Sequence, residues 1–295
     1  MTLTPPVLLF HTDFHAFAFD ANYDGAGDQI LYTTNDGGVY RTNSARNENG
    51  YTQCGEPFYL LTGSAINHGL QVGQFYHGAV APGGGSLLGG TQDTVPLLTT
   101  PGQTAWTPIA NGDGGMVAFD PSSPAFHFED TAGGVPLAFL KGTAGSAPVQ
   151  ATGGITESSV DFSFLSYFTL DPSNPQTLYL GGHELWMTTN GAASWQLASP
   201  NFGSTITAIS VNPSNSSQVI FGGFLGNIYT GSPLQAWTSA QPRAGYVSRI
   251  AFDPNLAGVV YATYAAFRQS PGDSQIYASA DSGNTWSAIG AALCA

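Results

Sequence analysis

The sequence predicts an all-β protein, a single β-propeller of about six four-stranded blades, with seven blades as the alternative. Three observations support this fold class: a short apolar phrase recurs at blade-sized intervals, a second apolar run follows it, and a Trp closes most of the repeats. The composition agrees, because 38 Gly and 19 Pro among 295 residues suit tight turns between many short strands. No segment has a convincing helical periodicity.

The recurrent phrase is an apolar run that ends in Asp-Pro, Asn-Pro or a close variant. Its prolines at positions 82, 121, 172, 213 and 254 are 39, 51, 41 and 41 residues apart, which is the size of a four-stranded blade. The six copies are HAFAFDAN at 15–22, HGAVAPG at 77–83, MVAFDPSS at 116–123, YFTLDPSN at 167–174, TAISVNPSN at 207–215 and RIAFDPN at 249–255. They predict the first strand of each blade, within one domain at 1–295 whose blades span approximately 11–64, 65–110, 111–158, 159–200, 201–242 and 243–292.

Each phrase except the third is followed by a second run of β-branched, aromatic or Leu residues, which predicts the next strand of the blade. These runs are QILYTT at 29–34, SLLGG at 86–90, TLYLGG at 177–182, VIFGG at 219–223 and VVYATY at 259–264. A third run then leads to Trp106, Trp195, Trp237 or Trp286, whereas the third repeat lacks this Trp.

Charge and hydropathy exclude several classes of function. The net charge is −13 with only six Lys and Arg, so nucleic acid and anionic membrane surfaces are disfavoured partners. No apolar run reaches the roughly 20 residues that span a bilayer. Charged residues make up only 8% of the chain, a composition common in secreted β-proteins. We therefore expect an extracellular protein whose leader is absent from this chain, since residues 2–10 do not form a signal peptide.

The segment at 279–286 matches the Asp-box pattern S-x-D-x-G-x-T-W at every defined position, namely Ser279, Asp281, Gly283, Thr285 and Trp286. We expect the Asp carboxylate to bind backbone N–H groups of a hairpin turn, the Gly to adopt the turn conformation and the Trp to pack between blades. Residues 188–195 keep the frame of this motif without its Gly. The chain thus resembles the BNR/Asp-box repeat propellers, which include sialidases, sortilin-type domains and xyloglucan hydrolases.

A second resemblance covers the first 120 residues. Its segments are HTDFHA at 11–16, NDGGVY at 35–40, VGQFY at 72–76, GGTQD at 89–93 and GDGG at 112–115. They are similar to secreted bacterial BNR-repeat proteins related to the sortilin-type propeller. This resemblance implies a fold and an extracellular setting, and it implies no single chemistry.

Polar residues are predicted to converge on one rim of the propeller, formed by the loops before each first strand and the hairpins between second and third strands. His11, Asp13 and His15 alternate along one strand, so their side chains share a face and can supply ligands to a divalent metal, calcium or zinc. The further residues predicted on this rim are Asp36, His77, Gln92, Asp93, Asp113, His183 and Glu184. Of these, Asp36, Asp93 and Asp113 are candidate additional ligands. The alternative is that these groups hydrogen-bond backbone atoms in tight turns.

A glycoside hydrolase would need two carboxylates on either side of a sugar, about 5 to 9.5 Å apart. Asp36, Asp93 and Asp113 are the candidate catalytic acids. The aromatic residues near the channel are Phe75, Tyr76, Tyr167 and Tyr246, which either stack on sugars or pack between blades. His15, Tyr76, His77 and Gln92 are the candidate ligand-binding residues. A sialidase is disfavoured. That chemistry binds a carboxylate with three arginines, whereas the whole chain has only five Arg and no sequence motif typical of sialidases.

The two cysteines suggest a clasp for the ring. Cys54 lies late in the first predicted blade and Cys294 follows the last, and these blades are neighbours in a six-bladed ring. We predict a Cys54–Cys294 disulfide and an oxidising compartment. The alternative is two unrelated thiols.

The sequence as a whole favours a secreted binding or structural propeller with a polar His/Asp rim that can bind a metal. We expect its ligand to be a carbohydrate or a protein, and the propeller to be part of a larger extracellular assembly. A glycoside hydrolase or carbohydrate-binding propeller is the alternative.

Overall fold

The computed structural model describes residues 14–35, 38–43, 63–65, 73–93, 95–100, 102, 105–123, 126–132, 137–143, 146–265 and 274–289. The chain divides into two compact units, residues 1–72 and 73–295. The prediction of one domain over 1–295, with its blade boundaries, stays a prediction.

The first unit contains one four-stranded antiparallel sheet in chain order. Its strands are β1 (Phe14–Phe19), β2 (Leu31–Asn35), β3 (Gly38–Thr42) and β4 (Gly63–Ala65). The turn after β1 is fixed locally, because the Asp24 carboxylate accepts hydrogen bonds from the backbone N–H groups of Ala26 (2.8 Å) and Asp28 (2.9 Å).

The second unit contains five further four-stranded sheets, each with its strands in chain order. The second sheet has β5 (Phe75–Val80), β6 (Leu87–Thr91), β7 (Leu97–Leu98) and β8 (Thr107–Pro108). The third has β9 (Asp113–Phe119), β10 (Phe126–Ala132), β11 (Ala138–Thr143) and β12 (Ser146–Gln150). The fourth has β13 (Tyr167–Asp171), β14 (Asn174–Gly181), β15 (Leu185–Thr188) and β16 (Gln196–Leu197).

The fifth sheet has β17 (Ile206–Asn212), β18 (Asn215–Gly223), β19 (Ile228–Gly231) and β20 (Trp237–Ala240). The sixth has β21 (Val247–Phe252), β22 (Val260–Tyr264), β23 (Ile276–Ser279) and β24 (Ser287–Ile289). Within the described residues, the helical content is a single 3₁₀ turn at Ser159–Asp161.

All pairings within these sheets are antiparallel. Each of the six recurrent phrases forms the first strand of a sheet, as the sequence predicts. Six four-stranded antiparallel sheets are consistent with a six-bladed β-propeller, so the predicted fold class is confirmed.

Within the second unit, successive first strands contact one another in the order β5, β9, β13, β17 and β21. Between each pair of neighbouring sheets lies an apolar core, so the sheets pack face to face. In the core between the third and fourth sheets, Phe139 lies edge-on to Phe168 (ring centroids 5.0 Å apart) and to Trp195 (5.3 Å). The Trp195 indole also donates a hydrogen bond to the Ala151 carbonyl (2.7 Å). Central strands are thereby covered on both faces.

The hairpin at 279–286 is held by its own side chains. Asp281 accepts hydrogen bonds from the Thr285 backbone N–H (2.8 Å) and hydroxyl (2.6 Å), and Ser279 Oγ accepts from the Gly283 N–H (2.8 Å). Gly283 has a φ of 90°, a conformation that favours glycine. The Trp286 indole donates to the Gly283 carbonyl (3.0 Å).

The hairpin at 188–195 has related bonds in which Asn190 takes the place of the Asp. Its Oδ1 accepts hydrogen bonds from the Thr188 hydroxyl (2.8 Å) and the Ser194 N–H (3.0 Å). Ala192 adopts a φ of 64° where the motif has Gly. The degraded repeat therefore keeps the turn through the same local chemistry.

Candidate functional site

A continuous belt of loops joins the fourth, fifth and sixth sheets. The carbonyl of His183 accepts a hydrogen bond from Phe202 N–H (3.1 Å), and the carbonyl of Thr205 accepts one from Phe224 N–H (2.9 Å). The carbonyl of Leu225 accepts one from the N–H of residue 245 (3.2 Å). We call this belt the loop face, and it comprises residues 155–166, 182–184, 201–205, 224–227 and 241–246.

A Glu, an Asp and a His meet on the loop face. Glu157 and Asp161 lie in the loop before β13, and His183 lies in the hairpin between β14 and β15. One ligand atom from each of the three side chains lies within 4.8 Å of the others, and the His183 Nδ1 to Asp161 Oδ1 distance is 3.4 Å. All three residues are half-buried. They can therefore hold a metal ion between the loop and the hairpin.

Glu157 is held in place by the hairpin that it faces. Its Oε1 accepts hydrogen bonds from the backbone N–H groups of His183 (2.6 Å) and Glu184 (3.1 Å), and its Oε2 accepts one from the Trp186 indole (2.7 Å). A Cβ at Gly182 would lie well inside contact distance of the same carboxylate. Glycine at 182 thus makes room for the Glu157 side chain.

Two opposing effects set the pKa of Glu157. Burial raises the pKa of this carboxyl group, and the nearby Glu184 charge adds to the rise. The three donated hydrogen bonds stabilise the ionised form and lower the pKa, and the net change is a rise. The carboxylate is consequently rigid, oriented and partly desolvated.

Exposed aromatic residues accompany this polar cluster. Phe224 is 58% exposed and contacts Tyr246 edge-on with ring centroids 5.8 Å apart, and Phe164 is 67% exposed. The cluster and the ring pair are connected, because the Thr205 hydroxyl donates to the Asp161 carbonyl (3.5 Å) while the Thr205 carbonyl binds Phe224. An exposed aromatic pair beside oriented polar groups is a common feature of ligand-binding surfaces.

The residues of the predicted metal site fall mainly outside the described part of the chain. His11, Asp13 and Asp36 are not among the described residues, and His15 lies on β1 with an exposed side chain. The predicted disulfide also lies outside the described residues, since both Cys54 and Cys294 do. These predictions stay predictions.

The second and third sheets bring part of the predicted rim together. Burial raises the pKa of the Tyr76 phenol, and the charges of Asp113 and Asp93 raise it further, so both carboxylates lie near that ring. His77 on β5 accepts a hydrogen bond at Nδ1 from Val117 N–H (3.5 Å). The Gln92 backbone N–H donates to the carbonyl of residue 74 (2.8 Å), as expected of a turn residue.

Of the aromatic candidates, some are exposed and could stack on a sugar, whereas others pack between blades. Tyr246 is exposed on the loop face, and Phe75 is exposed beside Trp106, with ring centroids 5.3 Å apart. Tyr167 packs against the core between the fourth and fifth sheets, with Arg249 5.6 Å from its ring centroid.

Sequence reasoning missed Glu157 and Asp161. It placed His183 and Glu184 in a hairpin on the polar rim, but the segment GITESSVDFSF at 154–164 matches no ligand-binding pattern. The available signal was position, because this loop precedes a predicted first strand and the corresponding loops of other blades carry predicted rim residues.

Two acidic residues lie inside the third sheet, and one of them contacts the last residue of the 155–166 segment of the loop face. Glu129 on β10 is fully buried, and neither of its carboxyl oxygens has a hydrogen-bond partner. Burial raises its pKa to about 7. The adjacent Asp130 points to the other side of the sheet and accepts a hydrogen bond from Ser166 N–H (2.7 Å), and burial raises its pKa to about 8.

Comparison with known proteins supports the fold alone. No protein-family model and no curated protein sequence matches the chain. Among solved structures, a GH74 enzyme from Niastella koreensis has a TM-score of 0.57 at 18% identity, over 88% of this chain and 43% of the enzyme. An ancestral GH74 enzyme has a TM-score of 0.57 at 16% identity, over 90% of this chain and 36% of that one.

A third similar structure, YCF48 from Cyanidioschyzon merolae, has a TM-score of 0.50 at 15% identity, over 94% of this chain and 84% of that chain. The chain thus spans less than half the length of the two GH74 enzymes. All three are β-propeller proteins, and β-propeller is the class that the fold defines here. Among the described residues, no helix is long and apolar enough to cross a membrane.

Proposed function

We propose that this propeller binds carbohydrate on its loop face, and that it acts as a binding module rather than a hydrolase. The observation that carries the proposal is the exposed, edge-on pair of Phe224 and Tyr246 connected through Thr205 to the Glu157–Asp161–His183 cluster. Aromatic faces suit the apolar faces of sugar rings, and fixed polar side chains orient their hydroxyl groups.

The charge of the chain favours a neutral polysaccharide over an anionic one. With 19 acidic and six basic side chains, the molecule would repel a polyanion, whereas a neutral glycan has no such penalty. The GH74 enzymes named above share the fold, which makes a carbohydrate ligand plausible without identifying one. We further propose that the protein is extracellular, where such ligands occur.

The test is a glycan array of plant and bacterial polysaccharides, followed by titration calorimetry of the best ligand against Phe224→Ala and Tyr246→Ala. We expect each substitution to weaken binding at least tenfold. Val149→Ala is the control, because Val149 is similarly exposed (64%) but lies on the outer strand of the third sheet. Unchanged affinity in both aromatic variants would contradict the proposal.

A glycoside hydrolase is the second candidate, favoured by one observation: Glu157 and Asp161 place two carboxylates on the loop face, with oxygens within 4.8 Å of each other, just below the lower limit of about 5 Å for such a pair. The hydrogen bonds to Glu157 argue against it, because three N–H donors occupy most of the lone pairs of this carboxylate and leave little capacity for contact with a substrate.

A hydrolysis screen with Glu157→Gln and Asp161→Asn would identify such an enzyme if activity in the unmodified protein is lost in both variants. Loss of activity in Asp36→Asn or Asp113→Asn instead would place the catalytic acids on the rim that the sequence predicts. The absence of hydrolysis from the unmodified protein would count against this second candidate.

A further inference from the structure

We propose that Glu157, Asp161 and His183 bind a zinc ion, which links the loop before β13 to the hairpin between β14 and β15. The proposed carbohydrate site includes the same three side chains, but zinc binding can be tested apart from it because the exposed aromatic pair provides none of the ligands. It differs from the metal site predicted from the sequence, whose ligands were His11, Asp13 and His15.

The first argument is the spacing of the ligand atoms. The distance from His183 Nδ1 to Asp161 Oδ1 is 3.4 Å, longer than the 2.7–2.9 Å of a charge-assisted hydrogen bond. Two ligands of a tetrahedral zinc ion with bonds of about 2.1 Å lie about 3.4 Å apart. The observed separation therefore fits two ligands of one ion better than a direct hydrogen bond.

The second argument is the remaining bonding capacity of Glu157. Each carboxylate oxygen has about two lone pairs. Oε1 uses both for the backbone N–H groups of His183 and Glu184, whereas Oε2 uses one for the Trp186 indole. One lone pair on Oε2 thus remains for a cation, and the three donors fix the orientation of the carboxylate, as outer hydrogen bonds do in metal sites.

The third argument is that the ligands are already positioned. The His183 backbone is held at its N–H by Glu157 and at its carbonyl by Phe202, and Asp161 lies in the 3₁₀ turn with its carbonyl bound by Thr205. Both sides of the site are therefore fixed before an ion binds, which reduces the conformational entropy lost on binding.

The donor set selects zinc over calcium. Calcium takes six to eight oxygen ligands, and this site offers one imidazole nitrogen with two carboxylates. A nitrogen and two oxygens match the three protein ligands of an open zinc site, in which water or a ligand fills the fourth position. Such an ion would lie on the loop face and provide a polar contact for a bound molecule.

The experiment measures zinc binding to the full chain after treatment with chelator. Titration calorimetry and thermal unfolding are recorded with Zn²⁺, Ca²⁺ and Mg²⁺, for the unmodified protein and for Asp161→Asn, His183→Ala and His15→Ala. We expect one equivalent of Zn²⁺ to bind and to raise the melting temperature, with at least tenfold weaker binding in Asp161→Asn and His183→Ala. His15→Ala, the control, should bind zinc like the unmodified protein.

Cobalt substitution supplies a readout that a purely structural role of these residues would not produce. Co²⁺ in a tetrahedral site should show strong visible absorption that is lost in His183→Ala. Absence of zinc binding to the unmodified protein, or unchanged binding in both Asp161→Asn and His183→Ala, would overturn the proposal. So would loss of binding in His15→Ala alone. Carbohydrate binding is scored separately through Phe224→Ala, so either proposal can fail while the other stands.

Discussion

Replacement of Glu129 by Gln should make the stability of the protein less dependent on pH. Glu129 is fully buried in the third sheet and neither carboxyl oxygen has a hydrogen-bond partner, so its ionised form is strongly disfavoured in the folded state. Burial raises the pKa from 4.5 to about 7. The folded state therefore holds this proton more tightly than the unfolded state does.

The direction of the effect follows from proton linkage. A carboxyl group with a raised pKa in the folded state contributes its full stability below the unfolded pKa and loses it as the pH rises through the folded pKa. For Glu129 the pH window runs from 4.5 to about 7. At about 1.36 kcal/mol for each pKa unit, the difference corresponds to a loss of about 3 kcal/mol at higher pH.

The assay is urea unfolding at intervals between pH 4.5 and pH 8, with the free energy of unfolding extrapolated to water. Gln has the shape of the protonated acid and cannot ionise. Glu129→Gln should therefore match the unmodified protein at pH 4.5 and exceed it by up to about 3 kcal/mol at pH 8.

The half-exposed Glu184 provides a control, since Glu184→Gln makes the same chemical change outside the core. It should not reproduce the stabilisation of about 3 kcal/mol at pH 8, because no fully buried carboxylate is removed. The reasoning is refuted if Glu129→Gln retains the pH profile of the unmodified protein, or if it is less stable than the unmodified protein at pH 8.

Three further predictions concern the hairpins and the core. Gly182→Ala should destabilise the protein by about 1–3 kcal/mol in urea, because the new methyl group displaces the Glu157 carboxylate from its three donors; an unchanged midpoint would contradict the described packing. Phe139→Ala should cost about 3–5 kcal/mol, since its ring is fully buried between the third and fourth sheets, and a loss below 1 kcal/mol would argue against that core. Asp281→Asn should reduce the dependence of stability on acidic pH. Hydrogen bonds to the carboxylate, above all from the Thr285 hydroxyl, lower the Asp281 pKa from 3.8 to about 2. The stability that the ionised Asp281 contributes is therefore present above pH 3.8 and is lost as the pH falls towards 2. Identical acid melting curves for the two proteins would show that the turn has no such role.

The fold was predictable because its signal is local and repeated. Alternating apolar residues that end in Asp-Pro or Asn-Pro specify a strand and its turn within eight residues, and the roughly 40-residue period specifies the sheet. Even the degraded hairpin at 188–195 kept its turn, since Asn190 provides an acceptor equivalent to the Asp of the intact motif.

The site was harder to predict because it depends on contacts between distant segments. Glu157 binds a hairpin 26 residues further along the chain, and nothing in its own segment indicates that partner. Periodicity also fails for Glu129, because neighbouring sheets cover both faces of β10. Polar residues of a central strand can thus be buried on either face, and the sequence alone gives no sign of it.

Hydrogen–deuterium exchange with and without the best-binding oligosaccharide of the array tests the central claim, that the loop face binds the ligand. We predict slower exchange in the peptides that contain residues 155–166, 182–184, 201–205, 224–227 and 241–246. Protection confined to residues 73–76, 92–93 and 112–115 would contradict the claim and would favour the rim of the second and third sheets.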